Sequence, residues 1–432
     1  MDLVGAFSHI AVSFAGAWAA GRFLIGRYWR FEHPAVQTAA ETAAGLFVLS
    51  HLLFTAAVFG LLRPVFFLPL FAALALLGIA GIFAAHRAPK KSAGHKPDRA
   101  TVWPAVLFPA LLYLGWAAAC ACLPPSDRDE LIYHLEIPKQ LLAHNGLFRF
   151  SDNIYGYFPQ LGEMLFTFGL GLSGEIAAKL YSVLSGGLLA LGLYGYGRSY
   201  LNVKNAALAV LIFLSAPAVM VTLPLAYVDL LFSLYAFLSL IGLLNYFRTG
   251  QLRWTVLAGI FAGACMATKY TGIQVLALLV CLSLLEHLGE RRKNWLPGLL
   301  ALTAAAVPVF IPYLLRNWLL TGWPLFPFHT GPFALHAGIN WDPERARLYL
   351  GWLGTFGAPI GAQTLWHVVL APVLVFITAR FNDPQFYEGI LGPVFLLTPF
   401  FLALDRTKKP KEIGRLILFS AQIGRASCRE RV

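Results

Sequence analysis

Hydrophobic residues along this chain form long continuous runs, with no strict alternation of apolar and polar positions. A bilayer-spanning helix needs roughly 20 predominantly apolar residues, and many of the runs approach that length. Continuous runs exclude a membrane β-barrel, whose strands alternate, so only helices are expected to cross the membrane. The predicted spans lie at about 3–25, 42–62, 65–85, 101–122, 175–196, 205–222, 226–246, 254–268, 272–288, 295–314 and 387–404. The pattern predicts an all-α polytopic transmembrane protein with about eleven spans and the start of another.

The polar connections between these runs predict the orientation. Lysine and arginine concentrate in alternate connections, such as residues 86–100 and "DRTKKPKEIGR", which marks that side as cytoplasmic. The two long connections, about 123–174 and 315–386, are then extracytoplasmic and are expected to carry short juxtamembrane helices. "LWHVVLAPVLVFITA", in the second, is interpreted as an interfacial helix. The first run has no preceding basic residue, which favours a retained span over a cleaved signal peptide.

Composition agrees with this assignment, because 58% of the residues are hydrophobic and only 12% are charged. The net charge of +12 requires no nucleic-acid partner, since positive cytoplasmic loops facing anionic membrane lipid account for it. We divide the chain into accessory helices (1–100), a transmembrane core (101–422) and a tail (423–432). The tail "IGRASCRERV" resembles a translated sequencing adapter, so we expect it to be non-native and the natural chain to be longer.

An acid-rich stretch, "PPSDRDELIYHLEIPK" at residues 124–139, directly follows an apolar run. Ser126 followed three residues later by Asp129 matches a helix-capping box. Capping accounts for one acid at a helix start, but not for Asp127, Asp129 and Glu130 together. Pro138 is expected to break the helix.

Further ionisable residues lie at the predicted outer ends of spans. Asp229 begins one span, Lys269 closes another and Arg316 ends the tenth. Each of these side chains taken alone is compatible with snorkelling to the membrane surface. Together they predict an outward-facing cavity in which cations bind a lipid-linked phosphate and a carboxylate transfers a proton.

These segments, in this order and on this side, resemble the C-type glycosyltransferase superfamily. The likeness covers about residues 100–404 and is closest to the bacterial branch related to protein O-mannosyltransferases and the lipid A aminoarabinose transferases. It rests on "DRDELIYHLEIPKQLLAHNG", "YFPQLGEMLF", "YVDL", "ATKYTG" and "RNWLLTGWPLFPF".

The resemblance implies a membrane enzyme with a polyprenyl-phosphate sugar donor and a catalytic carboxylate from the pair Asp129 and Glu130. Asp129 is expected to be the general base for an inverting transfer, with Arg316 and Lys269 stabilising the departing phosphate. The remaining substrate-binding candidates are Asp229, Tyr133, His134, Tyr157, Gln160 and Glu163.

Tyr133 and His134 follow Asp129 and Glu130 at i,i+4 spacing, so they could orient these carboxylates or contact the sugar, or simply form a packed helix face. No cofactor is expected. The "DRD" spacing of Asp127 and Asp129 departs from the family pattern and leaves a divalent metal as an alternative.

A secondary transporter or a lipid or glycan flippase is the alternative function. Transporters tend to place ionisable groups near the bilayer midplane, often within internal repeats. Here the span centres are nearly free of charge, which favours the transferase, located in a bacterial cytoplasmic membrane with its site facing outward. The sequence leaves open which sugar is carried and whether the acceptor is a protein, a lipid or a glycan.

Overall fold

The computed structural model describes residues 3–87, 103–200, 203–290, 295–328 and 335–353, with single residues between 364 and 386. Within these ranges every regular element is a helix, which confirms the all-α prediction. The helices are α1 Leu3–Ile25, α2 Pro34–Val58, α3 Pro64–Arg87, α4 Trp103–Ala121, α5 Glu136–Ala143, α6 Leu161–Ser173, α7 Glu175–Tyr200, α8 Val203–Leu214, α9 Pro217–Thr222, α10 Asp229–Thr249, α11 Arg253–Thr268, α12 Gly272–Glu290, α13 Trp295–Thr321 and α14 Pro343–Leu353. A π-helical turn, Glu130–His134, and a 3₁₀ turn, Ile154–Tyr157, lie between α4 and α6.

Six of these helices, α1, α2, α3, α7, α10 and α13, are long and apolar enough to cross a membrane. Shorter apolar helices coincide with the predicted spans at 101–122, 254–268 and 272–288. The predicted span at 387–404 lies outside the described residues.

Three element boundaries differ from the prediction. α2 begins at Pro34, well before residue 42, because proline is favoured in the first helical turn. The predicted span 205–222 is divided into α8 and α9 just before Pro217, whose nitrogen cannot donate a helical hydrogen bond. α13 continues to Thr321, beyond the predicted end at 314. The connection 123–174 contains short helices, as predicted, among them the apolar α6 of 13 residues, which is too short for a full crossing.

The chain forms two compact units. Unit 1 comprises residues 1–148, 160–215 and 219–237, and unit 2 comprises residues 149–159, 216–218 and 238–432. The predicted domain boundary near residue 100 falls inside unit 1 and stays a prediction.

In unit 1, α1 packs closely against α2 through small residues. A Cβ atom on Gly45 would lie 1.8 Å from the Ala17 carbonyl oxygen, and one on Gly21 would lie 1.6 Å from the Glu41 carbonyl oxygen. Glycine is therefore required at both positions for the backbones to approach this closely. α1 and α2 also contact α6 and α7, so the N-terminal helices support α6, whose Glu163 pairs with His134 of the acid-rich stretch.

In unit 2, α11 packs mainly against α13, again at glycines. A Cβ atom on Gly259 would lie 2.3 Å from the Leu302 carbonyl oxygen, and one on Gly263 would lie 2.5 Å from the Ala306 carbonyl oxygen. These contacts lie in the first half of α13, and Arg316 lies nearer the C-terminal end of the same helix.

We predict that Gly45→Ala destabilises the protein by about 1–3 kcal/mol, because the added methyl group forces α1 and α2 apart. Thermal unfolding of the purified protein in detergent, followed by intrinsic fluorescence, should show a lower Tm. Gly115→Ala is the matched control, because no atom lies within 4 Å of a Cβ placed there on α4. Helix propensity favours alanine at such a site by about 0.5–1 kcal/mol, so the control should leave Tm unchanged or raise it. Equal Tm values for the two variants would contradict close packing at Gly45.

Candidate active site

The acid-rich stretch folds into the π-helical turn of unit 1. The Leu135 N–H donates to the Glu130 carbonyl oxygen over 2.9 Å, and this i to i+5 bond widens the turn. The predicted capping box of Ser126 and Asp129 is wrong, because the Asp129 N–H donates to the Asp127 carboxylate at 3.0 Å and the Ser126 N–H donates to Glu130. Pro138 does not break the helix, because it lies in the first turn of α5, where a missing N–H is tolerated.

Glu130 holds this turn in place. Its Oε1 accepts a hydrogen bond from the Ala226 N–H at 2.6 Å. Its Oε2 accepts longer bonds from the N–H groups of Ser126, at 3.4 Å, and Asp127, at 3.5 Å. The side chain is 0% exposed, so both oxygens are committed to backbone donors. Glu130 thereby joins the start of the acid-rich stretch to the segment before α10.

Asp129 occupies a different environment from its neighbour. The residue is 5% exposed, and its Oδ2 accepts a hydrogen bond from the Tyr133 hydroxyl at 3.2 Å. Arg128 Nε lies 3.6 Å from Oδ1, on a mostly exposed side chain. An ion pair with one exposed partner contributes little stability, so the tyrosine is the better-defined orienting contact.

Two tyrosines serve as neutral donors in this cluster. The Tyr227 hydroxyl donates to Asp127 Oδ1, as the Tyr133 hydroxyl does to Asp129. Burial, and then the charge of Asp129, raise the pKa of Tyr133 well above its usual value, and the same two causes raise the pKa of Tyr227. The charge of Asp229, at the start of α10, acts in the same direction on both hydroxyls. Both phenols therefore stay protonated and keep donating across the physiological pH range.

His134 pairs with Glu163 of α6 and not with Glu130. Its Nδ1 lies 2.9 Å from Glu163 Oε1, and both side chains are buried. The imidazole packs against the rings of Tyr133 and Tyr227, with ring centroids 4.1 Å and 5.0 Å away. Among the described residues, His134 Nε2 and Glu163 Oε2 have no hydrogen-bond partner. The pair thus offers two buried polar atoms whose hydrogen-bonding capacity the described protein does not use.

Arg316 lies in unit 2 and belongs to a hydrogen-bonded network. Its Nε and one Nη donate to the Asn317 side-chain oxygen at 3.0 Å and 2.8 Å, and the same Nη donates to the Phe158 carbonyl at 2.8 Å. Asn317 in turn donates to the Tyr157 carbonyl at 2.8 Å and to the Tyr270 hydroxyl at 2.9 Å. The network ties the end of α13 to the 3₁₀ turn and to the residue that follows Lys269.

Lys269 and Tyr157 belong to the same unit. Lys269 is the C-terminal cap of α11 and has an extended backbone, which ends that helix. The Tyr157 hydroxyl donates to the Phe150 carbonyl at 2.7 Å, and burial raises the pKa of Tyr157 to about 12.

The predicted site residues therefore fall into two sets. Unit 1 holds Asp127, Asp129, Glu130, Tyr133, His134, Gln160, Glu163 and Asp229. Unit 2 holds Tyr157, Lys269 and Arg316. Gln160 is buried at the start of α6, one turn before Glu163.

Metal binding was the alternative for Asp127 and Asp129. Asp127 Oδ1 accepts from both the Asp129 N–H and the Tyr227 hydroxyl. In the part of the chain that the structure describes, no three His, Cys, Asp or Glu side chains are grouped to hold a metal ion.

Sequence reasoning missed two residues that the structure places in these networks, Tyr227 and Asn317, and one buried lysine of unit 1. Tyr227 lies two positions before Asp229 in the "YVDL" segment, of which only the aspartate was predicted to be a site residue. Asn317 follows Arg316 directly. Lys179 lies inside the predicted span 175–196, which carries its other charge, Glu175, at its first residue, and a lysine within an apolar span was a usable signal.

The arrangement in unit 1 suits proton transfer. It combines a carboxylate oriented by one hydroxyl, a neighbouring carboxylate committed to the backbone, and a buried histidine–glutamate pair. Backbone N–H groups donate to Glu130, whereas the Tyr133 side chain donates to Asp129, so Asp129 is the candidate base.

Part of the chain is similar to a known protein family. A family model described as dolichyl-phosphate-mannose-protein mannosyltransferase matches residues 155–315. No curated protein and no solved structure matches the chain at a significant level. The matched segment contains Tyr157, Gln160, Glu163, Asp229 and Lys269, begins after the acidic pair and ends one residue before Arg316. Over residues 155–315 the chain is similar to this mannosyltransferase family, which confirms the resemblance to the C-type glycosyltransferase superfamily.

Proposed function

We propose that this protein is a membrane glycosyltransferase that moves a sugar from a polyprenyl-phosphate donor to an acceptor hydroxyl. The family description supports this proposal, because it names a dolichyl-phosphate sugar and mannosyl transfer. The apolar helices support a membrane location. The observation that carries the proposal is Asp129, a buried carboxylate oriented by the Tyr133 hydroxyl directly after a predicted span.

In the proposed reaction Asp129 acts as the general base. The acceptor oxygen attacks the anomeric carbon while its proton passes to the Asp129 carboxylate. The bond between that carbon and the phosphate oxygen breaks, and its electron pair leaves with the polyprenyl phosphate. Attack from the face opposite the leaving group inverts the anomeric configuration.

Glu130 and the two tyrosines are assigned positioning roles. Glu130 fixes the turn by accepting backbone N–H groups, Tyr133 orients Asp129, and Tyr227 orients Asp127. His134 and Glu163 are proposed to bind sugar hydroxyls through Nε2 and Oε2, which have no partner among the described residues. No metal takes part in the proposed step.

Arg316 and Lys269 are proposed to stabilise the departing phosphate, with Tyr157, Gln160 and Asp229 as further substrate contacts. Arg316 is buried near the end of α13 and donates hydrogen bonds to Asn317 and Phe158, and a buried, positioned guanidinium can stabilise charge that develops on a leaving phosphate. We propose that the site faces outward from a bacterial cytoplasmic membrane, and the concentration of lysine and arginine in alternate connections supports the outward orientation.

We predict that Asp129→Asn lowers the turnover number by about 100- to 10,000-fold, the usual contribution of a general base. Donor binding should persist, because the amide keeps the size of the carboxylate. The measurement uses the purified protein in lipid nanodiscs with a panel of radiolabelled polyprenyl-phosphate sugars, and scores binding, hydrolysis and transfer. The anomeric configuration of the product tests inversion.

Glu136→Gln is the matched control, because it neutralises an acid of the same stretch whose side chain pairs with Gln140. The control should transfer sugar at the wild-type rate. Full transfer by Asp129→Asn would remove the base assignment. Binding of no donor by the wild type would contradict the transferase and favour a transporter or flippase.

We predict that Glu130→Gln destabilises the protein by about 1–3 kcal/mol, because the amide replaces one carboxylate oxygen with an NH2 donor and leaves the backbone N–H groups on that side without an acceptor. Its Tm should fall together with its activity. Asp129→Asn, measured in parallel by the same thermal unfolding, should keep a Tm close to the wild type. If the two variants were equally stable, Glu130 would not be the residue that holds the turn.

A further inference from the structure

A lysine is buried in unit 1 on the second turn of α7. Lys179 is 2% exposed, and its Nζ donates to the Leu123 carbonyl oxygen at 2.8 Å. Leu123 lies two residues beyond the end of α4. Within the described part of the chain, this carbonyl is the sole partner of the ammonium group.

The charge of Lys179 is not neutralised by its own helix. An ammonium group has three N–H donors, and a buried ion costs several kcal/mol unless it is paired. Glu175, one turn earlier, is the acid of α7, and its carboxylate already pairs with Lys139 at 2.7 Å. A buried cation with a neutral acceptor and spare donors is chemically suited to an anion.

The position of Lys179 indicates where that anion would come from. Leu123 is 61% exposed, and α4 also exposes Leu111, Leu112 and Trp116, as expected of a lipid-facing helix. In the proposed topology, the end of α4 and the start of α7 lie at the outer boundary of the bilayer, where lipid phosphates are found. The flexible stem of a lysine can carry its ammonium group to that boundary.

We propose that Lys179 binds the phosphate of the polyprenyl-phosphate lipid, with Nζ exchanging the Leu123 carbonyl for phosphate oxygens. This inference rests on the proposed function and adds a phosphate ligand in unit 1, the unit that contains Asp129. The ligand class is a lipid phosphate ester: the donor carries it as a diester and the product lipid as a monoester.

A purely structural role would have a different signature. A cation near the carbonyl groups at a helix C-terminus is stabilising, so Lys179 could serve only to cap α4. In that case its removal would weaken the fold and affect charged and uncharged lipids equally. Phosphate selectivity therefore separates the two explanations.

The test compares Lys179→Met with Lys179→Arg and with the control Lys139→Met, in nanodiscs of neutral lipid. Lys139 is a neighbouring lysine that is half-exposed and already paired with Glu175. The probes are radiolabelled polyprenyl phosphate, polyprenol of the same chain length and, as a competitor, phosphatidylglycerol. We expect Lys179→Met to weaken polyprenyl-phosphate binding at least about tenfold, as for loss of a charged hydrogen bond. Polyprenol binding should be unchanged, and Lys179→Arg and Lys139→Met should bind both probes as the wild type does.

Three outcomes would overturn the inference. These are unchanged polyprenyl-phosphate binding by Lys179→Met, equal loss of both probes, and competition by phosphatidylglycerol as strong as that by unlabelled polyprenyl phosphate. The last would assign the site to bulk anionic lipid. Because the probes carry no sugar, this result is distinguishable from the Asp129 test: Lys179 can fail while Asp129-dependent transfer stands.

Discussion

The Glu130 carboxylate is the contact on which the rest of the candidate site depends. A carboxylate can accept several hydrogen bonds, and here it accepts them from backbone N–H groups on both sides of a gap of about a hundred residues. This bond network places the π-helical turn beside the segment that leads into α10. This network positions Asp129, Tyr133 and Tyr227. The most buried acid of the stretch, Glu130, therefore has a structural role for the others.

Three acids in one turn repel one another, and the structure reduces that cost by giving them different donors. Backbone N–H groups donate hydrogen bonds to Glu130, while tyrosine hydroxyls donate hydrogen bonds to Asp127 and Asp129. Since burial and the same negative charges keep both phenols protonated, the hydroxyls remain donors. The cluster is therefore self-consistent, because the charges that need donors also prevent those donors from ionising.

Close helix packing supplies the rigid frame. Glycines of α1 and α2 in unit 1, and of α11 in unit 2, allow backbones to approach within van der Waals contact. The N-terminal helices, which lie outside the family-like segment, share unit 1 with the acid cluster. Through their contacts with α6 and α7, these helices form part of the packed frame around the acid cluster.

The sequence by itself determined the all-α membrane class, because continuous apolar runs leave no other way to satisfy backbone groups in lipid. It also determined the acid-rich stretch and the i,i+4 relation of Tyr133 to Asp129, since local spacing fixes which side chains meet on one turn. Only the tertiary structure decided that His134 pairs with Glu163, that Glu130 binds Ala226 and that Tyr227 serves Asp127. Those contacts join residues far apart in the chain. They also depend on the π-helical turn Glu130–His134, whose width cannot be predicted from the spacing of residues.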